Sequence, residues 1–173
     1  GLCNAVTDQV LLTFTDPPSA TAGVDVTRCA NNAAVALGGS VIVATGGTWT
    51  GGTGTFTPNA NTLNATYNPG AGDLAAGQVS LTLTTTGNGN CAPATDTKII
   101  TYTPAPIVSA GMNGSVCANA AAIALNGTVT GAVGGVWSGG AGSFSPNNIT
   151  LNATYTPTAA EITAGTVTLT LTS

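Results

Sequence analysis

The side chains that could carry chemistry in this chain are few and scattered. The sequence has no histidine, and its acids are Asp8, Asp16, Asp25, Asp73, Asp96 and Glu161. Without histidine, neither a Ser-His-Asp nor a Cys-His nucleophile can be assembled. Glycoside hydrolysis needs two carboxylates close together in one cleft, and these acids do not form a close pair in the sequence. We therefore expect no enzyme, no catalytic residue and no cofactor.

The acids are better explained as turn formers than as metal ligands. Asp8 and Asp96 are 88 residues apart, and so are Asp73 and Glu161. An acid that recurs in a turn commonly bonds the local backbone, whereas calcium takes about six to eight oxygen ligands. The sequence thus predicts no metal site. Lys98, the only lysine, lies in a strand pattern, where we expect it to be solvated.

Four cysteines occur, at Cys3, Cys29, Cys91 and Cys117. An even number without histidine or a CxxC motif favours disulfides over zinc, but sequence alone leaves the pairing open. The favoured pairing joins Cys29 to Cys91 within one unit and leaves Cys3 and Cys117 to pair outside the chain. The difficulty with this pairing is that Cys29 and Cys91 stand in turns at opposite ends of a standard sandwich. The rival pairing joins Cys3 to Cys29 and Cys91 to Cys117. Each of these pairs spans a joint, and an extended rod would hold its two cysteines far apart.

The aromatic residues could offer sugar-stacking platforms at Trp49 and Trp137. Each tryptophan, however, lies in a strand pattern beside phenylalanine and tyrosine, which favours a buried anchor. We predict the core anchors to be Trp49, Phe56, Tyr67, Trp137, Phe144 and Tyr155.

These residues recur because the chain repeats itself. The stretch GGTWTGGTGTFTPNANTLNATY, from Gly46 to Tyr67, returns as GGVWSGGAGSFSPNNITLNATY, from Gly134 to Tyr155. The offset of 88 residues holds without a gap along the chain, and about half of the superimposed positions are identical. Such a period indicates a tandem array whose unit is large enough to be a small domain.

Short runs of β-branched residues between Gly, Pro and Asn turns predict about seven strands in each unit. We place strands at about residues 7–15, 20–28, 34–44, 46–50, 53–57, 62–67, 79–86 and 95–103. Gly51-Gly52 should join the strands at 46–50 and 53–57 as a hairpin, and residues 70–76 should form one helical turn. The fold class predicted is all-β: tandem immunoglobulin-like β-sandwiches with an 88-residue repeat.

The repeat divides the chain into three segments. Residues 1–18 hold the last strand of a preceding or neighbouring repeat and a joint, 19–106 a complete repeat, and 107–173 a second repeat that lacks its last strand. The short proline-bearing joints predict a rod. We expect the strand at 7–15 to complete a unit in a neighbouring copy or in the preceding part of the polypeptide, because an open edge over an apolar core would aggregate.

Charge narrows the possible partners. Charged residues make up 5% of the chain, against about 25% in typical soluble domains. The only basic side chains, Arg28 and Lys98, are too few for a nucleic-acid footprint, and no apolar run is long enough for a membrane span. A surface with so little self-repulsion is suited to packing against copies of itself.

The motifs VCANAAAIALNG, GGTWTGGTGTFTPN, LNATY and CAPATDTKIITYTPAP resemble the tandem immunoglobulin-like repeats of giant secreted surface proteins of Bacteroidetes. The resemblance covers the whole chain. It implies export by the type IX route, an extracellular location at the bacterial surface, and a role in adhesion, gliding or filaments, with no catalytic residues.

Three functions follow as hypotheses. The first is a structural and adhesive module of a long surface filament, whose other parts contact a host or prey cell or a glycan. The second is a pilin-like subunit that polymerises by donating a strand, and the third is a carbohydrate-binding module. The partners expected in the first two are copies of the chain itself or adjacent repeats of the same polypeptide.

Overall fold

The computed structural model describes all of residues 1–173 and is mostly β, in several sheets. It divides into two compact units, unit 1 at Gly1–Thr103 and unit 2 at Pro104–Ser173. The division falls at the proline-bearing joint expected from the sequence. Residues 1–18 contain no helix or strand.

Unit 1 contains nine strands, a 3-10 turn at Ala30–Asn32 and one short helix. In chain order they are β1 (Ser19–Thr21), β2 (Val26–Cys29), β3 (Val35–Ala36), β4 (Ser40–Ile42), β5 (Gly46–Thr50), β6 (Thr55–Thr57), β7 (Thr66–Asn68), α1 (Ala71–Ala76), β8 (Gln78–Thr86) and β9 (Thr95–Thr103). The strands predicted at 79–86 and 95–103 and the helical turn at 70–76 are confirmed.

The strands of unit 1 form three sheets, ordered β2-β9-β8-β5, β3-β7-β6 and β1-β4. In the largest sheet β9 is an inner strand, antiparallel to β8 and parallel to β2. Successive side chains of a strand point to opposite faces. Accordingly Lys98, Ile100 and Tyr102 of β9 are buried while the residues between them are exposed.

Glycines divide two stretches that the sequence predicted as single strands. Gly23 (φ +80°) interrupts residues 20–28, and Gly38 (φ +68°) interrupts residues 34–44. The left-handed backbone that glycine adopts so readily ends each strand and lets the chain continue in another sheet. The β1–β4 and β2–β9 pairings are the result.

The hairpin predicted at Gly51-Gly52 is wrong. β5 pairs with β8, whereas β6 pairs with β7 in a different sheet. Gly51 (φ +102°) and Gly52 (φ +70°) instead carry the chain from one sheet to the next. There is no room for a side chain at Gly52, since a Cβ would lie 1.9 Å from Tyr67 Oη.

The core of unit 1 centres on Trp49, whose indole Nε1 donates a hydrogen bond to the carbonyl oxygen of Leu63 at 3.1 Å. The buried apolar residues are Ala22, Val35, Leu37, Trp49, Ala65, Tyr67, Val79, Leu81, Leu83, Ile100 and Tyr102. Of the predicted anchors in unit 1, Trp49 and Tyr67 are buried in this cluster, whereas Phe56 is only partly buried against it, as are Val41 and Leu63.

Unit 2 has counterparts of most of these elements 88 residues later. They are β10 (Ile107–Ser109), a 3-10 turn (Ala118–Ala120), β11 (Ile123–Ala124), β12 (Thr128–Thr130), β13 (Val136–Ser138), β14 (Ser143–Ser145), β15 (Thr154–Thr156), α2 (Ala159–Ala164) and β16 (Thr170–Thr172). The sheets are β10-β12, β11-β15-β14 and β13-β16. Trp137 pairs with Leu171 as Trp49 does with Leu83.

Two parts of the β2-β9-β8-β5 sheet are reduced in unit 2. β16 has three residues where β8 has nine, and residues 114–117, the counterparts of β2, form no strand. In unit 1 both of these strands hydrogen-bond to β9. The strand predicted at 7–15 is also not formed, and its residues are exposed without a β-partner.

Lys98 corrects a further expectation, since it is only 3% exposed rather than solvated. Its Nζ donates a hydrogen bond to the carbonyl oxygen of Val24 at 2.5 Å. The inward direction follows from the alternation of β9, because position 98 lies on the same face as Ile100 and Tyr102.

Replacing Lys98 by alanine should lower the free energy of unfolding by about 2 kcal/mol or more, because it leaves a cavity and an unpaired carbonyl at Val24. The matched control is Ile99→Ala on the outward face of the same strand, where the loss should stay within about 1 kcal/mol. Urea unfolding followed by tryptophan fluorescence measures both. Equal losses for the two variants would contradict the buried placement of Lys98.

Candidate interaction site

A groove of about 560 Å³ opens on unit 2. One wall is formed by residues 114–116, and Val167 and Leu169 line it as well. Trp137 and Tyr155, two of the predicted core anchors, also contribute to its lining. The groove therefore reaches the aromatic core of unit 2.

In unit 1 the corresponding space is occupied by β9. Val79 and Leu81, the counterparts of Val167 and Leu169, pair with residues of β9 and are 6% and 0% exposed. Val167, in contrast, is 38% exposed. The groove thus has the position that a strand covers in unit 1, and its lining combines apolar side chains with polar ones, among them Asn126 and Glu161.

The N-terminal segment, residues 7–15, has the opposite property. It is a β-branched and apolar stretch with nothing covering it: Val10, Leu12 and Phe14 are 81%, 70% and 90% exposed. These three residues alternate along the chain and stand 88 residues before Lys98, Ile100 and Tyr102. At its end, Thr15 Oγ1 lies 3.4 Å from Cys91 Sγ.

Beside the helix of unit 1, a tyrosine and an acid fix the backbone. Tyr67 Oη donates to Asp73 Oδ2 at 2.5 Å and accepts from the Gly54 amide at 2.9 Å. Asp73 also accepts from the amides of Thr53 and Gly70. Burial and the hydrogen bond to Asp73 raise the pKa of Tyr67 to about 12. Burial alone would raise the pKa of Asp73, but its hydrogen bonds outweigh this and lower it.

The same arrangement recurs in unit 2 with Glu161 in place of Asp73. Tyr155 Oη donates to Glu161 Oε1 at 2.8 Å. The Phe144 ring packs against the Tyr155 ring in a tilted arrangement with centroids 5.0 Å apart, as Phe56 does against Tyr67. Hydrogen bonds from the amides of Thr158 and Ala141 lower the pKa of Glu161 to about 2. The predicted turn-forming role of Asp73 and Glu161 is confirmed, since their oxygens are used by the local backbone.

The structure contains no bond between Cys29 and Cys91, the favoured disulfide pair. Cys29 lies beside Thr103 at one end of β9, and Cys91 precedes the other end at Thr95. A nine-residue strand is about 26 Å long, whereas a disulfide needs Cα atoms within about 7 Å. The intradomain bridge is therefore not possible in this fold. Cys3 and Cys117 are exposed.

The tryptophans are not placed for stacking on a sugar. Trp49 and Trp137 are each 1% exposed, and each donates its indole N–H to a backbone carbonyl at 3.1 Å. The predicted anchors Tyr67 and Tyr155 are likewise buried. Phe56 and Phe144 are half-buried at the edge of this cluster.

The sequence led us to expect a strand missing from the second repeat, but it did not indicate which residues line the groove. The 88-residue repeat could have indicated two of them. Val167 and Leu169 are the counterparts of Val79 and Leu81, which pair with the strand at 95–103. The wall at residues 114–116 could not be predicted in this way. These residues are the counterparts of β2, and the sequence did not indicate that β2 pairs in parallel with β9.

No protein-family model matches this chain, and no curated protein matches it either. None of its helices has the length and apolar character needed to cross a membrane.

Acid should destabilise unit 2 through Glu161. Its folded pKa of about 2 lies below the usual 4.5, so its contribution is complete above pH 4.5 and is lost as the pH falls towards 2. The melting temperature should therefore be lower at about pH 3 than at about pH 6. Glu161→Gln, which keeps an acceptor oxygen, should reduce this difference, leaving the part due to Asp73 and Asp96, whose pKa values are also lowered. Circular dichroism melts at both pH values test this, and an undiminished difference in the variant would refute it.

Proposed function

We propose that the chain is a structural and adhesive module of a long extracellular filament at a bacterial surface. Its units are repeats of an immunoglobulin-like β-sandwich, and its task is mechanical: to carry load through strand hydrogen bonds and to space a distal binding tip. The partners are adjacent repeats or further copies of the chain, with a host or prey surface or a glycan contacted by other parts.

The observation that carries this proposal is the recurrence of contacts at the offset of 88 residues. The tryptophan-to-carbonyl bond, the aromatic pair and the tyrosine–acid bond have closely similar distances in the two units. A chain that builds one unit twice, from sequence that is about half identical, is typical of arrays whose function lies in repetition.

The composition supports the same proposal. A net charge of −4 over 173 residues gives little repulsion between neighbouring units or parallel copies. The acids at 73 and 161 are engaged in local backbone bonds, so they support a role in stability rather than in catalysis.

A second candidate function is favoured by the groove in unit 2. An apolar groove in the position of a strand is what a pilin-like subunit offers to a donated strand. The two functions differ in the covalent length of the native material: a filament built as one polypeptide carries many repeats on one chain, whereas a polymer of subunits does not.

Antibodies raised against residues 1–173 should decorate filaments on the outside of the source cells in immunogold electron micrographs. Labelling confined to the cell interior would refute the proposal. A denaturing gel of the labelled material then separates the two forms, since a single very large polypeptide indicates a tandem array and a small subunit indicates a polymer.

A further inference from the structure

We propose that the groove of unit 2 binds the N-terminal segment, residues 7–15, of a second copy of the chain. The segment would enter as a strand in the place that β9 occupies in unit 1. This proposal rests on the subunit form of the proposed filament, the second candidate function, and names the segment and the groove through which copies join. The segment and the groove are both present in residues 1–173, and both lie open in the structure.

The register follows from the pairing of β8 with β9. In unit 1, Val79 lies opposite Ile100 and Leu81 opposite Lys98. The counterparts of Val79 and Leu81, 88 residues later, are Val167 and Leu169 of the accepting copy. The counterparts of Ile100 and Lys98, 88 residues earlier, are Leu12 and Val10 of the arriving copy. Leu12 would therefore lie opposite Val167, and Val10 opposite Leu169. Both acceptor residues line the groove. The inward face of the arriving strand would then be Val10, Leu12 and Phe14, all apolar.

Phe14 suits the groove because it stands where unit 1 has Tyr102. The Tyr102 hydroxyl is buried without a hydrogen-bond partner, which is a cost that phenylalanine does not carry. Leu11, between the inward residues, stands where unit 1 has Ile99, which is 38% exposed. The segment thus has an apolar inward face and an outward position that tolerates water.

The polar contacts of β9 also have counterparts. Asp96 Oδ2 accepts a hydrogen bond from the Ala22 amide at 2.7 Å. Asp8 stands 88 residues before Asp96, and Ala110, the counterpart of Ala22, lines the groove. The recurrence of an aspartate at position 8 is explained if its carboxylate accepts the Ala110 amide of the neighbouring copy.

The cysteines give a second observation on the register. Cys29 lies beside Thr103 in unit 1. The counterpart of Cys29 in unit 2 is Cys117, and the counterpart of Thr103 in the N-terminal segment is Thr15. Cys117 of the accepting copy would therefore lie beside Thr15 of the arriving copy. Thr15 Oγ1 in turn contacts Cys91 Sγ of its own copy at 3.4 Å. Docking would therefore bring Cys91 of the arriving copy near Cys117 of the accepting copy, a pairing that sequence alone left open.

Within residues 1–173 there is one such segment and one such groove, so a contact between two copies of these residues is heterologous. Contacts of this kind continue from copy to copy and give a ring or an open fibre rather than a closed pair. The assembly expected from residues 1–173 is a ladder of oligomers that lengthens with concentration.

The test compares Leu12→Asp with Leu11→Asp in the chain of residues 1–173, by light scattering coupled to gel filtration. The inward Leu12→Asp should abolish the ladder, whereas the outward Leu11→Asp should leave it within about twofold of wild type. Both residues are exposed in the isolated chain, so both variants should give the wild-type circular dichroism spectrum.

A wild-type chain that stays monomeric, or a ladder that both variants keep or both lose, would overturn the proposal. Neither result bears on the filament function, which fails only if the native material is not filamentous and extracellular. A filament that persists with monomeric recombinant chains would leave the function standing and remove the docking.

The register is tested by a short bismaleimide added to wild-type oligomers. A covalent dimer should form through Cys91 of one copy and Cys117 of the next, identified by mass spectrometry of the linked peptides. The dimer should be lost in Cys117→Ser and kept in Cys29→Ser. Oligomers that link through other cysteines only, or not at all, would overturn the proposed register.

Discussion

The fold of unit 1 depends on one inner strand that has partners on both of its edges. In unit 1 that strand is β9, which hydrogen-bonds to β8 on one side and to β2 on the other. It also places Ile100 and Tyr102 in the core. A strand in this position satisfies two rows of backbone groups and covers the apolar face between them. In unit 2, residues 114–117 form no strand, and the β8 counterpart pairs only with β13, through Thr170–Thr172.

A comparison of the two units distinguishes contacts between residues close in sequence from pairings that depend on that strand. The tyrosine–acid bond, the aromatic pair and the tryptophan–carbonyl bond are preserved in unit 2, because their partners lie within 14 residues of each other. The β8 counterpart, by contrast, keeps three residues of nine. Unit 2 thus retains its aromatic anchors while presenting a groove lined by apolar and polar side chains, and this combination makes it a candidate acceptor for a strand.

The sequence was informative wherever a period or an offset could be counted. The alternation in residues 79–86 and 95–103 predicted β8 and β9 closely, and the aromatic anchors followed from their place in strand patterns. The same alternation should have placed Lys98 inside, yet the charge of lysine was given more weight than its position. The groove was predicted only as a missing strand, because its lining comes from pairings between residues distant in sequence.

Other features could not be read because they depend on which strands meet. The partners of β5 and β6 are set by the turn at Gly51 and Gly52, and a pair of glycines is as consistent with a sheet-to-sheet crossing as with a hairpin. The pairing of Cys29 with Cys91 was favoured although a standard sandwich holds their turns at opposite ends, and the parallel register of β2 places the two cysteines at opposite ends of β9.

The central claim is that a strand of the β9 type occupies the groove of unit 2 in the assembled protein. Hydrogen–deuterium exchange on assembled and dissociated material addresses it directly, since backbone amides that enter a sheet are protected. Residues 7–15 and residues 166–171 should gain protection together on assembly, while β9 should be unchanged. Assembled material in which residues 7–15 exchange as fast as in the dissociated chain would contradict it.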